Sequence, residues 1–290
     1  MNKPEIELKK YRDFTDVFNA SFAFISQELR RLIRVMGLYA GIPVILSVVL
    51  SAYYLQNFLS SFMQIFNTSG SMTPEAMPDP ILVFLTVMVS LLAQIFIMGL
   101  VPAYLGEYED KGRDGFTAAD VWSRFARHIG AIIGYSLVAA IIIFFGFMLF
   151  IIPGIYLWVP MSFVLYVKII ENKDFGDTFS RCFQLVKSNW WITFGILIIA
   201  YIIISIVSWL FSIPSLIVGA VEGFLISSGA ENAMQGNSLG IILSTIFAGL
   251  GQYILYPVLY IIIAFQYYSL REQKDGSTLM DRISSINQEE

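Results

Sequence analysis

Apolar residues run in long blocks near 37–57, 81–104, 131–151, 155–170, 191–213 and 239–266. Each block approaches the ~20 residues that a helix needs to cross a bilayer core of ~30 Å. The charged residues between the blocks are grouped. All 18 lysines and arginines fall in four clusters, within 3–34, 111–127, 168–187 and 271–282. The positive-inside rule places all four clusters in the cytoplasm. Each gap between clusters then holds an even number of crossings, two in the simplest case. The pattern predicts six transmembrane helices in three hairpins, with both termini cytoplasmic.

The middle hairpin is the tightest. Residues 131–170 give roughly 60 Å of helix at ~1.5 Å per residue, which two crossings consume. The turn is therefore expected at Ile152-Pro153-Gly154. Pro153 removes a backbone donor and ends the third helix, and Gly154 permits the reversal. Pro160 is expected to bend the fourth helix. The outer loops are expected near 58–80 and 214–238. The first carries Asn67-Thr68-Ser69, a glycosylation sequon only in a eukaryotic source. Tyr53 and Tyr54 are expected at an outer interface, and Trp190, Trp191, Tyr267 and Tyr268 at inner ones.

An amphipathic stretch precedes each hairpin. The first places Phe14, Val17, Phe18, Phe22, Ile25, Leu29, Leu32 and Ile33 at helical spacing, and the second Ala118, Val121, Trp122, Phe125 and Ile129. The third carries Phe175, Phe179, Cys182 and Val186. Thr117 and Asp120 read as a capping box. The stretches also align: Asp16-Val17-Phe18-Asn19-Ala20, Asp120-Val121-Trp122-Ser123-Arg124 and Asp177-Thr178-Phe179-Ser180-Arg181. The expectation is an all-α, polytopic fold of three parallel repeats, each a cytoplasmic interfacial helix followed by a helical hairpin. The units run over about 12–104, 116–170 and 174–268, in one membrane domain of residues 1–270 with a polar cytoplasmic tail at 271–290.

Composition agrees. The 290 residues are 57% hydrophobic and 14% charged, against about 45–50% and about 25% in soluble domains. Mean hydropathy is +0.69. A net charge of −4 leaves no basic stripe for nucleic acid. One cysteine and one histidine, Cys182 and His128, supply neither a disulfide nor a His/Cys zinc site. The N-terminus does not read as a cleavable signal. Four acids, Glu75, Asp79, Glu222 and Glu231, fall outside the cytoplasmic clusters.

Candidate chemistry is sparse. No ionisable group lies mid-span, which argues against an ion-coupled transporter. The intramembrane polar groups are mild: Ser90, Gln94, Ser136, Ser205, Ser244, Thr245 and Gln252. Gln94 and Gln252 read as interhelical hydrogen bonds or as the lining of a polar cavity. Asp120–Arg124 and Asp177–Arg181 read as i,i+4 pairs, each worth about 0.3–0.5 kcal/mol. Arg124 and Arg181 are also candidate contacts for lipid headgroups or a partner. Arg30, Arg31 and Arg34 form a basic cluster that anionic lipid would attract. Gly37/Gly41 and Gly130/Gly134 read as close helix packing. His128 reads as a solvated interfacial histidine, and Cys182 as a packed thiol or a palmitoylation site. No nucleophile–base pair, phosphate loop or carboxylate dyad is legible, so neither an enzyme nor a cofactor is expected.

The stretch 147–191, with Pro153, Gly154, Glu171, Asp177, Ser180, Arg181, Trp190 and Trp191, resembles the glycerophosphodiester phosphodiesterase membrane-domain family and related bacterial six-helix inner-membrane proteins. The resemblance implies a bacterial inner-membrane protein. It does not imply hydrolysis, which in fused members belongs to a soluble domain using paired histidines and metal-binding acids. That domain is not expected here. Two functions remain. One is a non-catalytic module that organises membrane lipid or scaffolds an unidentified membrane or cytoplasmic protein, with an oligomer compatible with it. The other is a passive transporter or channel for a lipid-like or small neutral molecule. A solute-sized cavity lined by Gln94 and Gln252 distinguishes the second.

Overall fold

The computed structural model describes residues 5–67, 79–228 and 238–276, and every regular element in them is helical. In chain order these are α1 (Phe14–Tyr39), α2 (Gly41–Asn67), α3 (Pro80–Lys111), α4 (Ala118–Leu149) and α5 (Ile151–Met161). A short turn α6 (Val164–Tyr166) passes into a π-helical turn, Val167–Glu171, followed by α7 (Phe175–Val186), α8 (Trp190–Ser227) and α9 (Ser238–Asp275). Six helical segments are long and apolar enough to cross a membrane: Gly41–Phe58, Pro80–Lys111, Ala118–Leu149, Ile151–Glu171, Trp190–Val221 and Leu239–Asp275. Large apolar side chains along them stay exposed, among them Ile42, Phe144 and Trp209. Such continuous apolar surface is the mark of a multi-pass membrane protein, since a water-facing monomer rarely exposes it. Thr68 and Ser69 of the sequon, Glu75, Glu231 and the tail beyond Gly276 lie outside the described residues.

Several borders differ from the sequence expectation. The second amphipathic stretch is not a separate helix: α4 runs unbroken from Ala118 to Leu149. Its capping box forms as expected, with the Asp120 amide donating to the Thr117 hydroxyl and the Thr117 amide donating to the Asp120 carboxylate at 2.7 Å. The expected outer loops also shrink, because α2 continues to Asn67 and α8 passes through Pro214 to Ser227.

The middle reversal sits at Phe150, not at Ile152-Pro153-Gly154. Phe150 is extended (φ −161°, ψ 158°) and ends α4, its amide donating to the Gly146 carbonyl. Pro153 falls in the first turn of α5, where its missing N–H costs nothing. Gly154 is required for contact and not for the turn. A Cβ there would lie 2.5 Å from the Phe147 ring and 2.9 Å from its backbone.

Pro160 breaks the fourth span. A regular helix would send the residue-160 amide to the Tyr156 carbonyl, and proline has no such donor. The Trp190 indole N–H takes its place, donating to the Tyr156 carbonyl at 3.3 Å while the two rings stack 5.7 Å apart. Beyond the break, the π turn ends at Asn172 in the left-handed region (φ 49°). Gly112 and Gly276 are left-handed too, directly after α3 and α9. The other positive-φ residue described is Asn172, so each of the three spans that precede a charged segment closes with a left-handed cap.

The described residues group into two compact units. One is drawn from Met1–Met36, Ile97–Ile203 and Pro257–Glu290, the other from Gly37–Phe96 and Ile204–Tyr256. Helices α1, α3, α8 and α9 contribute to both. The grouping follows packing, whereas the three repeat units follow the chain. In the first unit the repeated stretches bury equivalent positions with no exposure: Val17 and Ser21, Val121 and Phe125, Thr178 and Cys182. Their inner faces are covered by protein, not laid into a headgroup layer. Tyr267 and Tyr268, expected at an interface, are also fully covered.

The two Gly-x-x-x-Gly pairs do not pack helices. A Cβ at Gly37, Gly41, Gly130 or Gly134 meets nothing within 4 Å. Close approach occurs elsewhere, as at Gly99, where a Cβ would lie 2.6 Å from Phe125. Gly154→Val is therefore expected to destabilise the protein by about 1–3 kcal/mol through overpacking. Gly130→Ala should be neutral or should stabilise by up to about 1 kcal/mol through helix propensity. Unfolding midpoints in mild detergent check both, and a shift of the same sign in the two variants contradicts the packing described.

Candidate functional site

The unit built from Gly37–Phe96 and Ile204–Tyr256 contains a half-open cavity of about 670 Å³, within the range of ligand pockets. Its polar lining comes as stripes at helical spacing on otherwise apolar helices. Thr86, Ser90 and Gln94 line it from α3, Ser205, Ser208 and Ser212 from α8. Thr245, Gln252, Tyr253 and Tyr256 line it from α9, and Ser51 from α2. Residues four apart, or three and four apart, share one helix face. Among the described residues, none of the lining side chains is ionisable as a carboxylate, ammonium, guanidinium or imidazole.

Contacts between helices hold this wall. The Ser47 hydroxyl donates to the Tyr253 phenol at 3.0 Å, joining α2 to α9. Gly249 lets α9 approach Val48, where a Cβ would meet the valine at 3.0 Å, and Gly251 lets it approach Phe211 of α8. The Gln252 amide donates to the Tyr256 phenol at 2.7 Å, one turn along its own helix. The Ser212 hydroxyl donates to the Ser208 carbonyl at 3.2 Å. Thr86 is 8% exposed, and its hydroxyl has no hydrogen-bond partner among the described residues. A buried hydroxyl left so costs about 1–3 kcal/mol.

The other unit concentrates charge. Four glutamate side chains, Glu28, Glu107, Glu109 and Glu171, are 3–8% exposed and each meets a cation. Arg113 Nε lies 2.7 Å from Glu28, and the Tyr104 phenol donates to the same carboxylate at 2.7 Å. Glu107 takes Arg124 Nε at 2.7 Å and Lys111 Nζ at 2.9 Å. Glu109 takes Arg271 at 3.1 Å, Lys9 at 2.9 Å and the Tyr268 phenol at 2.9 Å. Glu171 takes Arg181 Nε at 3.1 Å and the Tyr267 phenol at 2.9 Å. The π turn places Glu171 one residue before the left-handed Asn172, within reach of α7.

These pairs replace those expected from the sequence. Arg124 pairs with Glu107 and Asp110, not with Asp120, and Gly106 makes room for its guanidinium. Asp120 instead pairs with Lys111 at 2.9 Å. Arg181 pairs with Glu171 and Asp275, not with Asp177, which is exposed in the first turn of α7. The two arginines occupy matching repeat positions and make matching pairs, one glutamate ending the preceding span and one aspartate. The basic cluster is divided. Arg31 lies 4.2 Å over the Phe116 ring and donates to the Arg113 and Phe116 carbonyls, while Arg30 and Arg34 are exposed. His128 Nδ1 donates to the Arg124 carbonyl at 2.8 Å. Cys182 is fully covered, and burial pushes its thiol pKa well up, so it stays protonated at neutral pH. Pro153 and Gly154 sit in α5 as described, apart from these charges in sequence.

Glu28, Glu107 and Glu109 were not singled out by sequence reasoning. A signal for two of the buried glutamates was present: Glu107-Tyr108-Glu109-Asp110-Lys111-Gly112, Glu171-Asn172-Lys173-Asp174 and Glu272-Gln273-Lys274-Asp275-Gly276 close three apolar runs in the same way. A family model described as a domain of unknown function, DUF7847, matches residues 29–268. The chain belongs to that family. The match takes in every residue that lines the cavity, along with Glu107, Glu109 and Glu171. No curated protein and no solved structure matches the chain.

Removing a buried partner leaves a charge unmet. Arg181→Ala is expected to cost about 3 kcal/mol, and Asp177→Ala less than about 1 kcal/mol, the scale of a helix-end charge. Equal costs in detergent unfolding contradict the pairing. Cys182 should react with a water-soluble maleimide only after unfolding, and fast labelling of folded protein contradicts its burial.

Proposed function

We propose that this chain is a multi-pass inner-membrane protein that takes up an uncharged lipid-like or small neutral molecule in its cavity and passes it across or along the membrane passively. The observation that carries the reading is the cavity among span-forming helices, lined by both Gln94 and Gln252. Its volume suits a guest of tens of atoms. Its lining suits a guest without charge, because a buried ion needs a partner of opposite sign and the described lining residues supply none. The pairing of the buried glutamates with arginine and lysine supports a structural role for charge in the other unit. In this reading both termini and the four cationic clusters are cytoplasmic, as the positive-inside rule favours.

A second reading, a module that organises lipid or holds a protein partner, draws on α1. There Arg30 and Arg34 are exposed, together with the apolar Ile33. That surface suits an anionic bilayer or an acidic protein face.

Sealed proteoliposomes separate the two. Uptake of labelled glycerol, glucose and dioctanoylglycerol is followed without ATP or an imposed gradient. At least one should equilibrate faster than in protein-free vesicles. The rate should fall at least fivefold in the Gln94→Leu/Gln252→Leu variant and ignore a proton gradient. Rates equal to protein-free vesicles, or a rate driven by the gradient, contradict the passive reading.

A further inference from the structure

The open side of the cavity narrows the guest further, on the premise that the cavity is a binding site. Helix α9 is packed on two flanks. Its Tyr253 phenol accepts from the Ser47 hydroxyl of α2, and its Gly251 leaves room for Phe211 of α8. The large apolar side chains of the wall that stay exposed come from α3 and α8: Val87 and Leu91 at 47% and 52%, and Trp209 at 70%. Among the described residues, the mouth therefore lies between α3 and α8.

On both helices this apolar rim adjoins a polar stripe. Successive residues of a helix are turned by ~100°. Val87 and Leu91 directly follow Thr86 and Ser90, and Trp209 follows Ser208. The turn that leaves each apolar side chain outside carries its polar neighbour inward, where it is buried or half-buried. Ser205 and Gln252 of the wall are exposed as well, so polar surface reaches the mouth. This order of apolar rim and polar interior is the same whether the wall's polar groups bond one another or a guest.

The rim also lies at membrane depth. Val87 and Leu91 are about 10 and 16 Å along α3 from Pro80 at ~1.5 Å per residue, and Trp209 is about 18 Å along α8 from Val221. Pro80 and Val221 end their spans, and one leaflet of a ~30 Å core is ~15 Å deep. The rim thus faces hydrocarbon. A solute dissolved in water would have to leave it to cross that rim, and a plain hydrocarbon would gain nothing from the polar stripes. An amphiphile meets both surfaces. Its head is uncharged, because the described lining residues offer no counter-charge to a phosphate or an ammonium. We infer that the guest is a membrane lipid with an uncharged headgroup, of the class of diacylglycerols and long-chain alcohols, which enters sideways between α3 and α8. Its head lies among the hydroxyls and carboxamides of the wall, and its chains stay in the bilayer against Val87, Leu91 and Trp209.

The test uses the full chain in phosphatidylcholine nanodiscs, with dioleoylglycerol carrying a photoactivatable diazirine midway along one chain. Cross-linked residues are read by peptide mass spectrometry. Labelling should concentrate at Val87, Leu91 and Trp209, and should fall when unlabelled dioleoylglycerol is added but not when glycerol is. Gln94→Leu and Ser208→Leu each remove a polar group from the wall, and each should lower rim labelling about fivefold, the worth of one hydrogen bond. Labelling at Ile45 and Phe144, exposed apolar side chains outside the wall, measures general lipid contact and should not change. Rim labelling that neither variant changes marks an ordinary lipid-facing surface and overturns the inference. So does rim labelling no stronger than at Ile45 and Phe144 while radiolabelled glycerol binds saturably and is lost on Gln94→Leu, a result that leaves the cavity a site for a neutral solute. Displacement by dioleoylphosphatidic acid at least as strong as by dioleoylglycerol overturns the uncharged head. No rim enrichment together with no saturable glycerol binding overturns the binding-site reading itself.

Discussion

A carboxylate taken out of water must be met by a cation at hydrogen-bonding distance, and four glutamates impose that demand on this chain. Glu28, Glu107, Glu109 and Glu171 are each almost fully covered, and each is met by an arginine, with lysine or tyrosine adding contacts. The partners come from distant parts of the chain. Arg113 reaches Glu28 of α1, Arg124 of α4 reaches Glu107 of α3, Arg181 of α7 reaches Glu171, and Arg271 of α9 reaches Glu109. Burial of such pairs is at best modestly stabilising. Breaking one is costly, so the set specifies which helix ends belong together. The unit that holds them also buries the repeated stretches at matching positions, Val17, Val121 and Thr178.

The other unit solves the opposite problem. It carries polar groups among apolar helices, and the described residues of its cavity wall carry no charge. Serine, threonine, glutamine and tyrosine are affordable in hydrocarbon because their partners can be found locally, as Ser212 finds the Ser208 carbonyl and Gln252 finds Tyr256. Thr86 and Ser215 are the exceptions in this unit, their hydroxyls covered and without a hydrogen-bond partner among the described residues. The division is thus chemical: paired charges hold one unit, and neutral polar groups line the cavity of the other.

Much of this was legible in the residues. The number of apolar blocks matched the number of span-length helices, because length and hydropathy alone decide that property. The Thr117/Asp120 cap was readable because a capping box is local. Gln94 and Gln252 stood out as the largest neutral polar groups in apolar helices, and both line the cavity. The ion pairs were misread because i,i+4 spacing is visible in a sequence and tertiary proximity is not. Arg181 is four residues from Asp177 but pairs with Glu171 and Asp275. The turn at Phe150 was misplaced because Pro153 was read as a helix stop, although proline is equally at home in a helix's first turn. The glycine pairs were misread because their spacing shows a shared face without showing what, if anything, faces them. The polar stripes at 86–90–94 and 205–208–212 were in plain view, and only their convergence needed coordinates.

The central claim is that the neutral wall receives a neutral guest. Native mass spectrometry of the protein released gently from its own membrane measures this most directly. The account predicts a retained molecule of defined mass and no net charge, at one per chain. Retention of anionic phospholipid alone at that stoichiometry, or a stoichiometric protein partner with no small molecule, would contradict it.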